Sequence, residues 1–97
     1  MTNKTSLFRA GYESHHVGHV EDFDDYERAA RLLFRQSANV LSWPVGIYEP
    51  ATDHLWLWCG YRTLDLNREA GLDEARVIFG LGRGHPFAAV EIMPEDL

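Results

Sequence analysis

Cysteine is all but absent from this chain. The single Cys59 among 97 residues rules out an internal disulfide, so burial of apolar side chains must hold the fold. Also missing is any apolar run near the roughly 18 residues that a membrane-crossing helix needs. The opening Met1-Thr2-Asn3-Lys4 has none of the apolar stretch of a secretory signal. These absences set the expectation of a cytoplasmic protein with no membrane partner. No internal repeat and no low-complexity linker is visible, and the length suits one domain spanning 1–97.

Established catalytic and phosphate-binding signatures are missing as well. Gly80-Leu81-Gly82-Arg83-Gly84-His85-Pro86 has the look of an anion cradle. A phosphate loop, however, needs a helix directly after it, and here Pro86 and a strand pattern follow. Cys59 falls mid-strand without a basic neighbour, where a thiol is inert. Ser37 and Ser42 flank a helix end rather than a nucleophile elbow. No catalytic residue and no resident cofactor is assigned on these patterns.

Positive charge is scarce: one Lys and eight Arg stand against 15 acids, for a net charge of −6. The excess is local. Glu13, Glu21, Asp22, Asp24, Asp25 and Glu27 lie in one stretch without a Lys or Arg. The rest of the chain is neutral. Direct nucleic-acid binding calls for the opposite sign. An acidic segment instead raises encounter rates with a basic protein surface.

What the chain does have is apolar and aromatic substance: 45% hydrophobic residues, with three Trp, five Phe and four Tyr. Residues 23–39 have helical periodicity. Phe23, Tyr26, Ala29, Ala30, Leu33, Phe34, Ala38 and Leu41 fall on one half of the wheel, with acids early and Arg late. Asp22 is the expected N-cap, Asp24–Arg28 and Glu27–Arg31 are spaced to pair, and Pro44 is expected to stop the helix. Leu32 is the exception. It projects from the polar side, where exposure would make it a contact point.

Residues 45–49 and 54–62 read as a hairpin closed by Pro50-Ala51-Thr52-Asp53. Residues 6–12 and 87–93 read as a first and a last strand, and 63–72 as loop. Residues 13–21 suit a polar loop or a continued strand, and 73–79 suit either a short helix or a strand. The expected fold is α+β: a mostly antiparallel four-stranded sheet with one long helix on one face, in the order β-α-β-β-(α)-β.

On the hairpin's second strand Leu55, Leu57 and Cys59 point one way, and Trp56 and Trp58 the other. One long helix cannot cover both sides. Tyr48, Trp56 and Trp58 are therefore expected to form an aromatic contact patch, since Trp and Tyr are favoured interface anchors. Together with Glu13, Glu21, Asp22, Asp24, Asp25 and Leu32 they make the candidate partner-binding set. The reading is a small acidic, non-catalytic protein-binding module of the inhibitor, immunity or accessory type. Its partner is a protein with a basic surface, or a second copy of the chain.

Two alternatives stand beside it. His15, His16 and His19 lie near acids, and these residue types ligate divalent transition metals, although their spacing matches no established zinc pattern. With His54 and His85 they suggest a metal- or small-ligand-binding protein or an enzyme. A homodimer sealed through the Trp face is the third reading.

Overall fold

The computed structural model describes residues 7–59 and 68–94. The elements run β1 (Phe8–Ser14), β2 (Val17–Phe23), α1 (Tyr26–Ser37), β3 (Ser42–Glu49), β4 (His54–Leu57), α2 (Arg68–Ile78) and β5 (Ala89–Ile92). The strands form one sheet in the order β2-β1-β3-β4-β5. All neighbours are antiparallel except β4 and β5, which run parallel. The fold is α+β as expected, but the sheet has five strands rather than four and is mixed rather than antiparallel.

The fifth strand is the polar stretch after Glu13. β1 runs on to Ser14, the chain reverses through His15-His16, and β2 returns in unbroken register from Ser14↔Val17 to Phe8↔Phe23. Both turn residues have positive φ, 52° and 67°, the geometry of a two-residue type I′ turn. β2 has no buried face and shows no alternating pattern, which hides it from periodicity.

Helix α1 begins three residues later than its pattern suggests, because Phe23 still belongs to β2. Asp25, not Asp22, is the N-cap, accepting from the Glu27 N–H at 3.0 Å. Asp22 is held instead by Arg9 on the neighbouring strand, at 3.3 Å. The helix ends at Ser37, well before Pro44. Asn39 makes the stop, its Oδ1 accepting from the Leu41 N–H and its carbonyl from the Ser42 N–H. Pro44 lies inside β3, opposite Tyr12. It is tolerated because the β3–β4 ladder stops at Gly46↔Leu57, with one further bond from Trp58 N–H to Val45 O.

The sheet is covered on both faces. α1 places Ala29, Ala30, Leu32 and Leu33 against Ala10, Ile47 and Met93, with Trp56 beside them. Segment 73–79 is mostly helix: α2, with Phe79 just after it, places Leu72, Ala75 and Phe79 against Val45, Tyr48, Leu55 and Leu57. Successive strand residues point to opposite faces, so Leu55 and Leu57 meet α2 while Trp56 meets α1. A β-bulge sets this division on β3. Gly11 pairs with Gly46 and Tyr12 with Pro44, leaving Val45 as an extra residue. Val45 then shares the α2 side with Tyr48, while Ile47 faces α1.

Glycines admit the close contacts. A Cβ on Gly46 would lie 2.3 Å from the Trp56 carbonyl oxygen, and one on Gly11 would lie 2.9 Å from the Phe79 ring. The end of the α2 segment therefore seats directly on the β1–β2 hairpin. The expected loop 63–72 becomes helix from Arg68, and the rest of it lies outside the described residues, as do Gly60–Arg62 of the expected second hairpin strand.

Candidate functional site

The expected aromatic patch does not form as one surface. Tyr48 is only 3% exposed and sits on the α2 side. Trp56 lies on the other face, half-buried, with ring centroids 4.0 Å from His54, 5.0 Å from Tyr26 and 6.0 Å from Phe8. Trp58 packs edge-on against Phe34 at 4.9 Å. The sheet separates the two groups, because Tyr48 and Trp56 come from strand positions of opposite facing. Leu32 is 5% exposed and belongs to the α1 core, so it is no surface contact point. The helix is rolled on the sheet, burying Leu32 and leaving Ala38 and Leu41 exposed.

The acidic segment spreads over a strand edge and a helix start. Asp22 pairs with Arg9, Asp24 with Arg28 at 3.4 Å, and Asp25 caps α1. Glu21 accepts from the Tyr12 hydroxyl at 3.4 Å. Burial, then the charge of Glu21, raises that phenol's pKa. Glu13 stands on the α2 face, opposite Gly18 on one side and Trp43 on the other. With Asp73, Glu74, Val77 and Ile78 it lines a shallow depression of about 260 Å³.

His15 and His16 form the hairpin turn, and His19 stacks on Tyr12 at 5.2 Å. Among the described residues no three His, Cys, Asp or Glu side chains gather in a set able to hold a metal ion.

Four of the exposed large apolar side chains lie near where the sequence offered only a helix stop. Trp43 is 50% exposed and Val40 87%, with Leu41 and Val17 also open. The sheet register brings these four to one end. Ser14 pairs with both Val17 and Ser42, Glu13 pairs with Trp43, and the His15 N–H donates to the Leu41 carbonyl at 3.0 Å. The available signal was an apolar Val40-Leu41-Ser42-Trp43 run beyond the last helical turn.

A second polar cluster lies at the opposite end of β3. Asp53 accepts from the Tyr48 hydroxyl and engages His85 Nε2 at 2.9 Å. Its carbonyl accepts from the Ala88 N–H at 2.8 Å, extending the β4–β5 ladder. Arg76 donates to the His85 carbonyl at 2.8 Å and sits over the Phe87 ring. Burial, reinforced by the Asp53 hydrogen bond, pushes the Tyr48 phenol up to about 12. The Tyr48 and His85 bonds in turn lower the Asp53 carboxyl. Asp53 thus ties the β3–β4 turn to the segment before β5 through His85 and Ala88, and Arg76 ties that segment to α2, which is the work of a latch.

Among the described residues, the fold and the apolar end define a small two-helix α+β domain with a five-stranded mixed sheet and Trp43 open at one end. No protein-family model, curated protein or solved structure matches the chain.

Proposed function

We propose that this protein is a small acidic, non-catalytic protein-binding module whose anchor is Trp43 at the hairpin-turn end of the sheet. The observation that carries this reading is a half-exposed indole with Val40 and Leu41 also open just before it in the chain, while Val17 opens at the same end from the other face of the sheet. Exposed apolar patches of this kind mark interaction surfaces, and Trp leads among hot-spot residues. Glu13, directly across the ladder from Trp43, borders the patch with charge.

The mechanism has two stages. The carboxylates attract a protein with a basic surface and orient its approach, and Trp43 then buries into an apolar pocket of that partner. Trp56 and Trp58 have aromatic neighbours within the chain and serve the fold first.

The test is quantitative affinity capture from a lysate of the organism of origin, comparing the wild-type chain with Trp43→Ala and Glu13→Lys. A discrete protein retained by the wild type should be lost by roughly thirtyfold with Trp43→Ala. Its capture should also weaken with Glu13→Lys and with added salt. A capture profile that Trp43→Ala leaves unchanged refutes the reading.

A further inference from the structure

The exposed strand β2 carries its own complement. Among the described residues no strand lies beyond it, and six of its seven residues are exposed, Phe23 being half-buried. Natural sheets blunt such edges with prolines, bulges, short length or charged side chains, lysines above all; β2's own charges are Glu21 and Asp22. β2 has no Pro or Lys, pairs with β1 without a bulge, and is seven residues long. The opposite edge, β5, has only four.

The direction of its free backbone groups follows from the ladder. A two-residue type I′ turn closes on a hydrogen-bonded pair, here Ser14 and Val17. The His15 N–H, one residue on, points the other way, to Leu41 on the β3 side. Alternation then turns Val17, His19, Glu21 and Phe23 toward β1. Gly18, Val20 and Asp22 present their N–H and C=O groups outward.

We propose that a second copy of this chain pairs antiparallel along β2, with Val20 on the two-fold axis. In that register Val20 faces Val20 of the other copy, Gly18 faces Asp22, His19 faces Glu21 and Val17 faces Phe23. The outward groups of Gly18, Val20 and Asp22 meet in hydrogen-bonded pairs, giving about six backbone bonds. The side chains agree with the backbone. A base meets an acid, two apolar residues meet, and each Asp22 stands opposite a glycine.

The neighbouring symmetric registers do less well. Moving the axis to His19 leaves Asp22 and Phe23 opposite the turn rather than β2, and moving it to Glu21 or Asp22 sets identical carboxylates opposite each other. Like charges directly opposite are unfavourable. The charges and extent of this edge thus select one pairing. Centring the axis on Val20 also leaves no residue of β2 unpaired.

This inference does not depend on the Trp43 reading: a Trp43→Ala chain should still dimerise. The test is sedimentation equilibrium of the full chain from micromolar concentrations upward, with two variants. Val20→Pro deletes an outward N–H while leaving the β1–β2 ladder its bonds, as proline does on an edge strand. It should be monomeric with the circular dichroism of the parent.

His19→Glu places two acids opposite each other twice across the axis and should weaken self-association about tenfold. The swap His19→Glu with Glu21→His should restore it. The proposal is overturned by a wild-type chain that stays monomeric, or by a folded Val20→Pro that still dimerises. It is equally overturned if His19→Glu leaves dimerisation unaffected or the swap fails to recover it. Should Val20→Pro unfold, the His19 and Glu21 variants decide alone.

Discussion

Replacing Gly46 by alanine should cost this domain a large part of its stability. The added methyl would sit 2.3 Å from the Trp56 carbonyl oxygen and 3.2 Å from the Leu57 Cα. Both are backbone atoms of the paired strand, so no side-chain rotation can make room. Relief requires β4 to move from β3, lengthening the bonds of Ile47↔Trp56 and the bond from Trp58 N–H to Val45 O. That shift would carry Leu55 and Leu57 out of contact with α2.

Overpacking that displaces backbone costs about 3 kcal/mol, against a total of roughly 5–15 kcal/mol for a small domain. At this length the melting temperature should fall by roughly 15 °C. Gly82 is the control, since a Cβ there meets nothing within 4 Å. Gly82→Ala should be neutral or stabilising by up to about 1 kcal/mol. Calorimetry and urea unfolding of the three chains measure both effects. A Gly46→Ala chain melting within a few degrees of the parent would show that the strands do not approach this closely.

Two further outcomes follow from the hairpin turn and the latch. His15→Asn with His16→Gly places at both positive-φ positions the residues a type I′ turn favours. It should stabilise by about 1 kcal/mol in urea unfolding. Tyr48 should be the late-titrating tyrosine, ionising near pH 12 by absorbance at 295 nm, and Tyr48→Phe should remove that step. Its folded pKa lies above the unfolded value of 10.0. Its contribution to stability is therefore complete below pH 10 and lost as pH rises toward 12. Asp53 has the opposite sign. Its lowered folded pKa makes a contribution present above the usual carboxylate range and lost as pH falls.

Elements with one buried side were legible, because burial imprints a period on the chain. The central residues of α1 were readable on that ground, and the β3–β4 hairpin and the final strand from their apolar runs and the Pro50–Asp53 turn. The Asp24–Arg28 pair follows from helical spacing alone. β2 was not legible, since a strand exposed on both faces has no pattern to display. The cap fell to Asp25 rather than Asp22 because β2 claimed Phe23 and the sheet gave Asp22 an arginine. The aromatic patch failed for a similar reason: Tyr48 and Trp56 are close along the hairpin, yet the pleat sends them to opposite sides. Trp43 was passed over because Pro44 beside it reads as a helix stop, whereas Asn39 had already ended the helix.

The chain alone determines that this is an acidic α+β domain without internal disulfides, with its negative excess confined to residues 13–27. Composition and periodicity are local quantities, and they survive any arrangement of the elements. Only the tertiary structure decided that both sheet faces are covered and that Leu32 is buried. It also decided that Trp43, Val40, Leu41 and Val17 lie at one open end. Those outcomes depend on pairings between residues distant in the chain, on one bulged residue at Val45, and on which glycines let a neighbour approach. No local pattern records them.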